Sequence, residues 1–282
     1  MESISFNRPR RIRVEPGKEK NANISRVDSS PLWLNSSQLM DEVLKSLEKR
    51  RPCSIVSLGA TEAFVMAQYT LLAEEEFMHH PEALVANRGA RGGHGHRGIS
   101  FPNLRARDDT VEAVRMAHIV GYNSLVEPAR EMAERVLEAY AIQPRYLFEA
   151  NIRRVLLFSQ REKFEAMLRG RKVLLISSLA PRLKVLRQQE YKDRLDCDLV
   201  AALSIYDYGE IPEVKRQLDH YDFDLCLLAA GVNAIILATH IAGYLGKVAF
   251  DIGWCMETMI SGEIFVDPWL GNIIGLEMLL QM

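Results

Sequence analysis

Short runs of apolar residues, separated by segments with helical spacing, organise most of this chain. They are clearest in the second half. Lys172-Val173-Leu174-Leu175-Ile176 reads as a strand followed by a helix from about Pro181, and Leu199–Leu203 as a strand followed by a helix from about Ile211. Leu225–Ala229 is a strand ending at Gly231 and leading into a helix over Val232–Ala242, and Val248–Asp251 is a last strand ending at Gly253. Continuous apolar strands are buried on both faces, and one helix between successive strands is the pattern of a parallel sheet. The pattern predicts an α/β fold, a Rossmann-like, mainly parallel sheet with helices on both faces. Right-handed crossovers then bring every strand's carboxyl end to one edge, where ligands of such sheets bind.

In the first half, Ser36 or Ser37 is placed to cap a helix carrying Leu39, Met40, Val43, Leu44 and Leu47, which ends at Lys49-Arg50-Arg51 before Pro52. Ser54–Leu58 reads as a strand closed by Gly59, and the helix after it carries Ala63, Phe64, Met66 and Ala67. Further helices are predicted over 108–117, 127–140 and 160–168, with a short strand at His118-Ile119-Val120. Residues 86–107 are glycine-rich, have no usable period and read as one long loop; a loop of that length in a compact domain is functional or mobile. Arg88, Arg91, Arg97, Arg105 and Arg107 make it basic, which suits a lid over an anionic substrate or a solvated surface. Residues 1–31 hold seven basic residues against four acidic ones with almost no apolar period. They read as a flexible basic tail, leaving 32–282 as a single α/β domain.

Composition narrows the classes. Of 282 residues, 48% are hydrophobic and 26% charged, which is ordinary for a globular protein. A net charge of −2 argues against a nucleic-acid partner. No run of about 18 apolar residues occurs, so no membrane span is expected, and the N-terminus lacks the apolar core of a secretory signal. Cys53, Cys197, Cys226 and Cys255 form no C-x-x-C pair and read as small buried hydrophobes in a reducing, cytoplasmic setting.

Four strand ends could carry chemistry. At Gly59-Ala60-Thr61-Glu62 the glycine admits a ligand to the backbone, and the next helix presents unpaired N–H groups suited to phosphate. Glu62 in that first turn is either functional or favoured by the helix dipole alone. Ser177-Ser178 suits phosphate contact or helix capping. Ala230-Gly231-Val232-Asn233 is a small-residue turn with the look of a phosphate cradle. Asp251, at the end of the last strand, suits a ribose, a metal or an acceptor hydroxyl. The Ala230 turn is not G-x-G-x-x-G, and no such fingerprint directly follows the strand of the first βαβ unit; there is also no G-K-S/T and no G-x-S-x-G, which together argue against a dinucleotide oxidoreductase, a P-loop hydrolase and a nucleophile elbow. His94 and His96 read as solvated loop residues, and His79-His80 as capping at a helix end.

The run Cys53–Ala63, with its Gly59-Ala60-Thr61-Glu62 turn, resembles the GT-D type glycosyltransferases, in which a glycine precedes an Asp-x-Glu motif. Phe101-Pro102-Asn103, Ala106-Arg107-Asp108-Asp109, Val111–Arg115 and Ile119-Val120-Gly121 look like that family's middle region. Asp224–Ala238 and Gly246–Gly253 look like its closing strand–helix–strand. The likeness spans about residues 52–260 and rests on order and spacing. It implies a glycosyltransferase that passes a sugar from a nucleotide sugar, typically a UDP-hexose, to a hydroxyl of a glycan or protein acceptor. It also implies a divalent ion, manganese or magnesium, on Glu62; catalytic roles for Glu62 and Asp251; and nucleotide-sugar contacts from Gly59, Thr61, Arg105, Asp108, Gly231, Asn233 and Trp254. Two positions depart from the pattern. Ala60 stands where the family has the first acid of its motif, and Trp254 where it often has histidine. An inactive relative that binds or scaffolds is therefore the competing expectation. The sequence leaves open whether the chain forms a homo-oligomer.

Overall fold

The apolar runs become the strands of one sheet. The structure is a computed structural model that describes residues 30–89, 97–266 and 270–282. Its strands are β1 (Leu32–Leu34), β2 (Cys53–Leu58), β3 (Ile119–Tyr122), β4 (Tyr146–Glu149), β5 (Lys172–Ser177), β6 (Asp198–Leu203), β7 (Leu225–Ala229) and β8 (Val248–Asp251). They lie in the order β1-β4-β3-β2-β8-β7-β5-β6, and every neighbouring pair is parallel. The expected parallel sheet is present, and all its strand ends point to one edge.

Between β1 and β2 lies α1 (Ser36–Glu48). Between β2 and β3 lie α2 (Ala60–Ala67), α3 (Glu74–His79), α4 (Pro81–Arg88) and α5 (Leu104–Met116). Next come α6 (Glu127–Ala139) after β3, and a 3-10 turn (Ala150–Arg154), α7 (Leu156–Ser159) and α8 (Arg161–Leu168) after β4. The rest are α9 (Ala180–Leu195) after β5, α10 (Ile211–Leu218) after β6, α11 (Val232–Leu245) after β7, and α12 (Cys255–Ser261) and α13 (Leu276–Gln281) after β8.

Strand periodicity splits the core in two. Val56, Leu58, Leu174, Ile176, Cys226 and Leu228 face a layer containing α2, α5, α6, α10 and α11. Ile55, Val173, Leu175, Leu225, Leu227 and Phe250 face α1, α7, α8, α9 and α12 on the other side. Both faces are thus dry, which is why the strand residues show no polar alternation. Helix α11 is apolar around most of its circumference because it packs on β2, β7 and β8 and is overlain by α5.

Several expectations shift in detail. The cap of α1 is Asn35, whose Oδ1 accepts from Gln38 N at 2.9 Å while Gln38 Oε1 accepts from Asn35 N at 3.0 Å, so neither Ser36 nor Ser37 caps. The 86–107 stretch is not one loop. Helix α4 runs to Arg88, and α5 begins at Leu104 because Asn103 Oδ1 accepts from Ala106 N at 3.0 Å. His80 caps α4, accepting from Glu82 N at 3.2 Å. Strands β1, only three residues long, and β4, which no glycine follows, are not among the predicted elements. The basic tail, up to residue 29, and the loop positions Arg91, His94 and His96 lie outside the described residues.

Candidate functional site

Adjacent strands whose outgoing helices leave to opposite faces open a crevice at the carboxyl edge of a parallel sheet. Here β2 and β8 are such a pair, since α2 follows β2 onto one layer and α12 follows β8 onto the other. A cleft of about 650 Å³ lies at that edge, within the range of small-ligand sites. Glu62, Gly231 and Asp251 line it together, as do Gly59, Thr61, Asn233 and Trp254.

Gly59 is the N-cap of α2 and Glu62 sits in that helix's first turn. Two glycines make room for its carboxylate. A Cβ on Gly59 would lie 2.5 Å from Glu62 Oε2, and one on Gly231 would lie 3.4 Å from Oε1. Gly231 also has φ +55°, a conformation other residues rarely take. Desolvation pushes the Glu62 carboxyl up to about 7; nearby Asp251 adds to the rise, while Arg153 and the N–H groups of Glu62 and Gly59 oppose it. A carboxyl group with that value gains and loses a proton near neutral pH.

Asp251 is buried, and its Oδ1 accepts from Gly253 N at 3.2 Å. Its Oδ2 pairs with Arg153 Nη1. Burial pushes Asp251 above the ordinary carboxylate range and Arg153 pulls the other way. Arg153 and Arg154 end the 3-10 turn after β4, and both line the cleft. At the start of the same turn, buried Glu149 accepts from Asn151 N at 2.9 Å and from Ser124 N at 2.6 Å, which fixes the chain entering it.

The glycine-rich segment returns to the site at Arg97 and Gly98. Asn233 Nδ2 donates to Gly98 O at 3.1 Å, so the first turn of α11 pins this segment. The Oδ1 of Asn233 is buried with no hydrogen-bond partner among the described residues, an acceptor without a donor. Glu82 Oε2 accepts from Thr61 Oγ1 at 3.1 Å and faces Arg97 Nε at 3.4 Å. At the rim, Trp254 is 37% exposed, stacks on Phe265 with centroids 4.7 Å apart, and has the Arg154 guanidinium 5.9 Å from its ring centroid. It is a surface aromatic and not a core one. Ser177 Oγ accepts from Leu179 N at 3.1 Å within the turn before α9, whose N-cap, Leu179, has no side-chain cap, so neither Ser177 nor Ser178 caps that helix.

A family model for the GT-D fold-like domain matches residues 34–259. The chain belongs to the GT-D-like family. Among solved structures, it is similar to the domain of unknown function 1792, a conserved domain with a distinct glycosyltransferase fold, at 14% identity over 85% of each chain and a TM-score of 0.54. It is also similar to a new glycosyltransferase of that domain class from Streptococcus sanguinis, at 16% identity over 79% of this chain and 81% of that one, with a TM-score of 0.51. At these identities the likeness establishes the fold. A comparison with curated proteins finds no match.

Two residues expected at the GT-D site lie elsewhere. Arg105 and Asp108 are exposed on α5 and do not line the cleft. Asp108 Oδ1 accepts instead from Arg107 Nε at 2.8 Å. Arg105 falls in the expected loop and Asp108 at the start of the expected helix; the Asn103 cap puts both on a helix layered against α11, away from the sheet's edge. Arg153 and Arg154 are absent from the expected site because β4, which no glycine follows, is not among the predicted strands. Tyr146-Leu147-Phe148 ahead of an acidic residue and a turn was the available clue.

The residues present do not make the divalent-ion site that the family pattern implies. Ala60 offers no side-chain oxygen, and both carboxylate oxygens of Asp251 are engaged by Arg153 and Gly253. That leaves Glu62, which burial biases toward its protonated form. No three His, Cys, Asp or Glu side chains converge among the described residues, whereas hard divalent ions take several oxygen ligands. The cysteines offer no nucleophile either. All four are buried and unpaired, and burial pushes Cys53 up to about 11 and Cys255 up to about 12.

Proposed function

We propose that this chain is a glycosyltransferase that moves a sugar from a nucleotide sugar, in first place a UDP-hexose, to a hydroxyl of a glycan or protein acceptor. One observation carries the reading: a GT-D-like fold brings Glu62, the Gly231 turn and the Asp251–Arg153 pair to one cleft at the β2/β8 crevice. The surroundings support it. Arginines suit a diphosphate, the small turn at Gly231 admits it to the backbone, and the unsatisfied Asn233 acceptor suits a ligand N–H or O–H. Trp254 and Arg154 at the rim offer a flat surface for a base or a sugar.

In this reading the acceptor oxygen forms a bond to the anomeric carbon while that carbon's bond to the diphosphate oxygen breaks. The electron pair leaves on the diphosphate, and the acceptor proton goes to the Glu62 carboxylate. Four buried thiols suit a reducing compartment, so we place the reaction in the cytoplasm. Among the described residues no helix is long and apolar enough to cross a membrane.

The test is a thermal-shift panel of UDP-, GDP- and TDP-hexoses followed by an assay for release of the nucleoside diphosphate. A selective shift with turnover is expected. A shift without turnover selects the inactive binding relative that Ala60 also suits, and no shift with any nucleotide sugar overturns both readings.

A further inference from the structure

Asp251 already holds a cation, and it belongs to the chain. Arg153 reaches from the turn after β4 to the end of β8. Its Nε donates to Ala150 O at 3.0 Å, and its Nη1 donates to Asp251 O at 2.9 Å and to the Asp251 carboxylate. The pair is well shielded, with side-chain exposures of 15% for Arg153 and 6% for Asp251. Gly253, at φ +50°, leaves the space the guanidinium needs, since a Cβ there would lie 3.2 Å from Nη1 and 3.4 Å from Nη2. These bonds use Nε and Nη1. Nη2 has no hydrogen-bond partner among the described residues, and Arg153 lines the cleft.

We infer that Arg153 acts where a divalent ion would otherwise stand: its Nη2 donates to the donor's diphosphate, and transfer needs no metal. The inference rests on the nucleotide-sugar reading above. As the bond between the anomeric carbon and the diphosphate oxygen breaks, the electron pair settles on the β-phosphate. A pre-oriented guanidinium there meets the new charge without reorganising. Asp251 is then a positioning residue: it fixes the plane of the fork and has no ligand contact of its own. Lysine is a poor replacement for Arg153, because its three donors radiate from one nitrogen, and an ammonium seated on the Asp251 carbonyl and carboxylate does not reach the separate position that Nη2 presents to phosphate.

The experiment is calorimetric titration of UDP, GDP and TDP into the full chain, in EDTA and again in manganese, for wild type, Arg153→Gln, Arg153→Lys, Asp251→Asn and the double variant Arg153→Gln/Asp251→Asn. Melting curves report folding. In EDTA, one nucleoside diphosphate is expected to bind wild type, with manganese changing the affinity less than about threefold. Both Arg153 variants should lose about tenfold or more in affinity, and the Asp251→Asn loss should vanish on top of Arg153→Gln. The wild-type comparison of the two buffers decides the matter even where a variant fails to fold. Binding that appears only with manganese, or that survives intact in folded Arg153→Gln, overturns the arginine assignment and leaves the nucleotide-sugar reading standing. Failure of all three nucleotides in both buffers removes that reading and this inference with it.

Discussion

Glu62 occupies a position where the fold and the chemistry make opposite demands. In the unfolded chain its carboxyl ionises near 4.5, and in the folded chain it holds a proton up to about 7. The folded state therefore becomes less stable as pH rises from about 4.5 to about 7, and the penalty stays constant above that. Glu62→Gln should relieve it. At pH 8 the variant should be more stable than wild type by roughly 2–3 kcal/mol, and at pH 4 the two should unfold alike. The same substitution removes the group assigned to take the acceptor proton, so turnover should fall by roughly 10²–10⁴. The wild-type kcat/KM should climb as pH passes about 7. Denaturant melts at the two pH values and a pH–rate profile check both halves, and a variant that is inactive and less stable at pH 8 would contradict the assignment. Glu62 could be singled out from sequence because a glycine and a helix start flank it. Its perturbed ionisation could not, since that comes first from burial in the folded cleft and then from Asp251, on a strand far along the chain.

The β2–α2 junction shows how an element holds a reactive group. Gly59 has ordinary backbone angles, with φ −76°, so alanine fits there conformationally. Its new Cβ would meet Glu62 Oε2, the flexible end of a side chain. Gly59→Ala is expected to cost less than about 1 kcal/mol of stability while displacing the carboxylate and lowering turnover at least tenfold. Matched melting and turnover measurements test this, and unchanged activity would show that the Glu62 position is not critical. Elements were legible from sequence where they repeat a period. Strands β2, β5, β7 and β8 are apolar runs buried against both layers and β6 is an apolar run at the sheet's edge, so they stand out; β1 has three residues and β4 has no glycine after it to mark its end. Helix α5 starts four residues before the expected 108 because its start is set by one side chain, Asn103, inside a glycine- and arginine-rich stretch.

At the scale of the whole molecule, strand order makes the site. Hydrophobic pattern identifies strands without saying which are neighbours. The placement of β8 beside β2, with registered pairs such as Ile55 and Phe250, is what brings Asp251 to Glu62. The same order carries β4 to β3, from where Arg153 reaches the crevice. The sequence thus exposed the parallel fold, the edge that matters and three of its key residues, but not the arginine that ties them together. The most direct measurement is a crystal structure of the protein soaked with an unreactive UDP-hexose analogue. The account predicts its diphosphate between Arg153 and the Gly231 turn, with the sugar's anomeric carbon facing Glu62. A well-ordered analogue bound away from the β2/β8 crevice would contradict it.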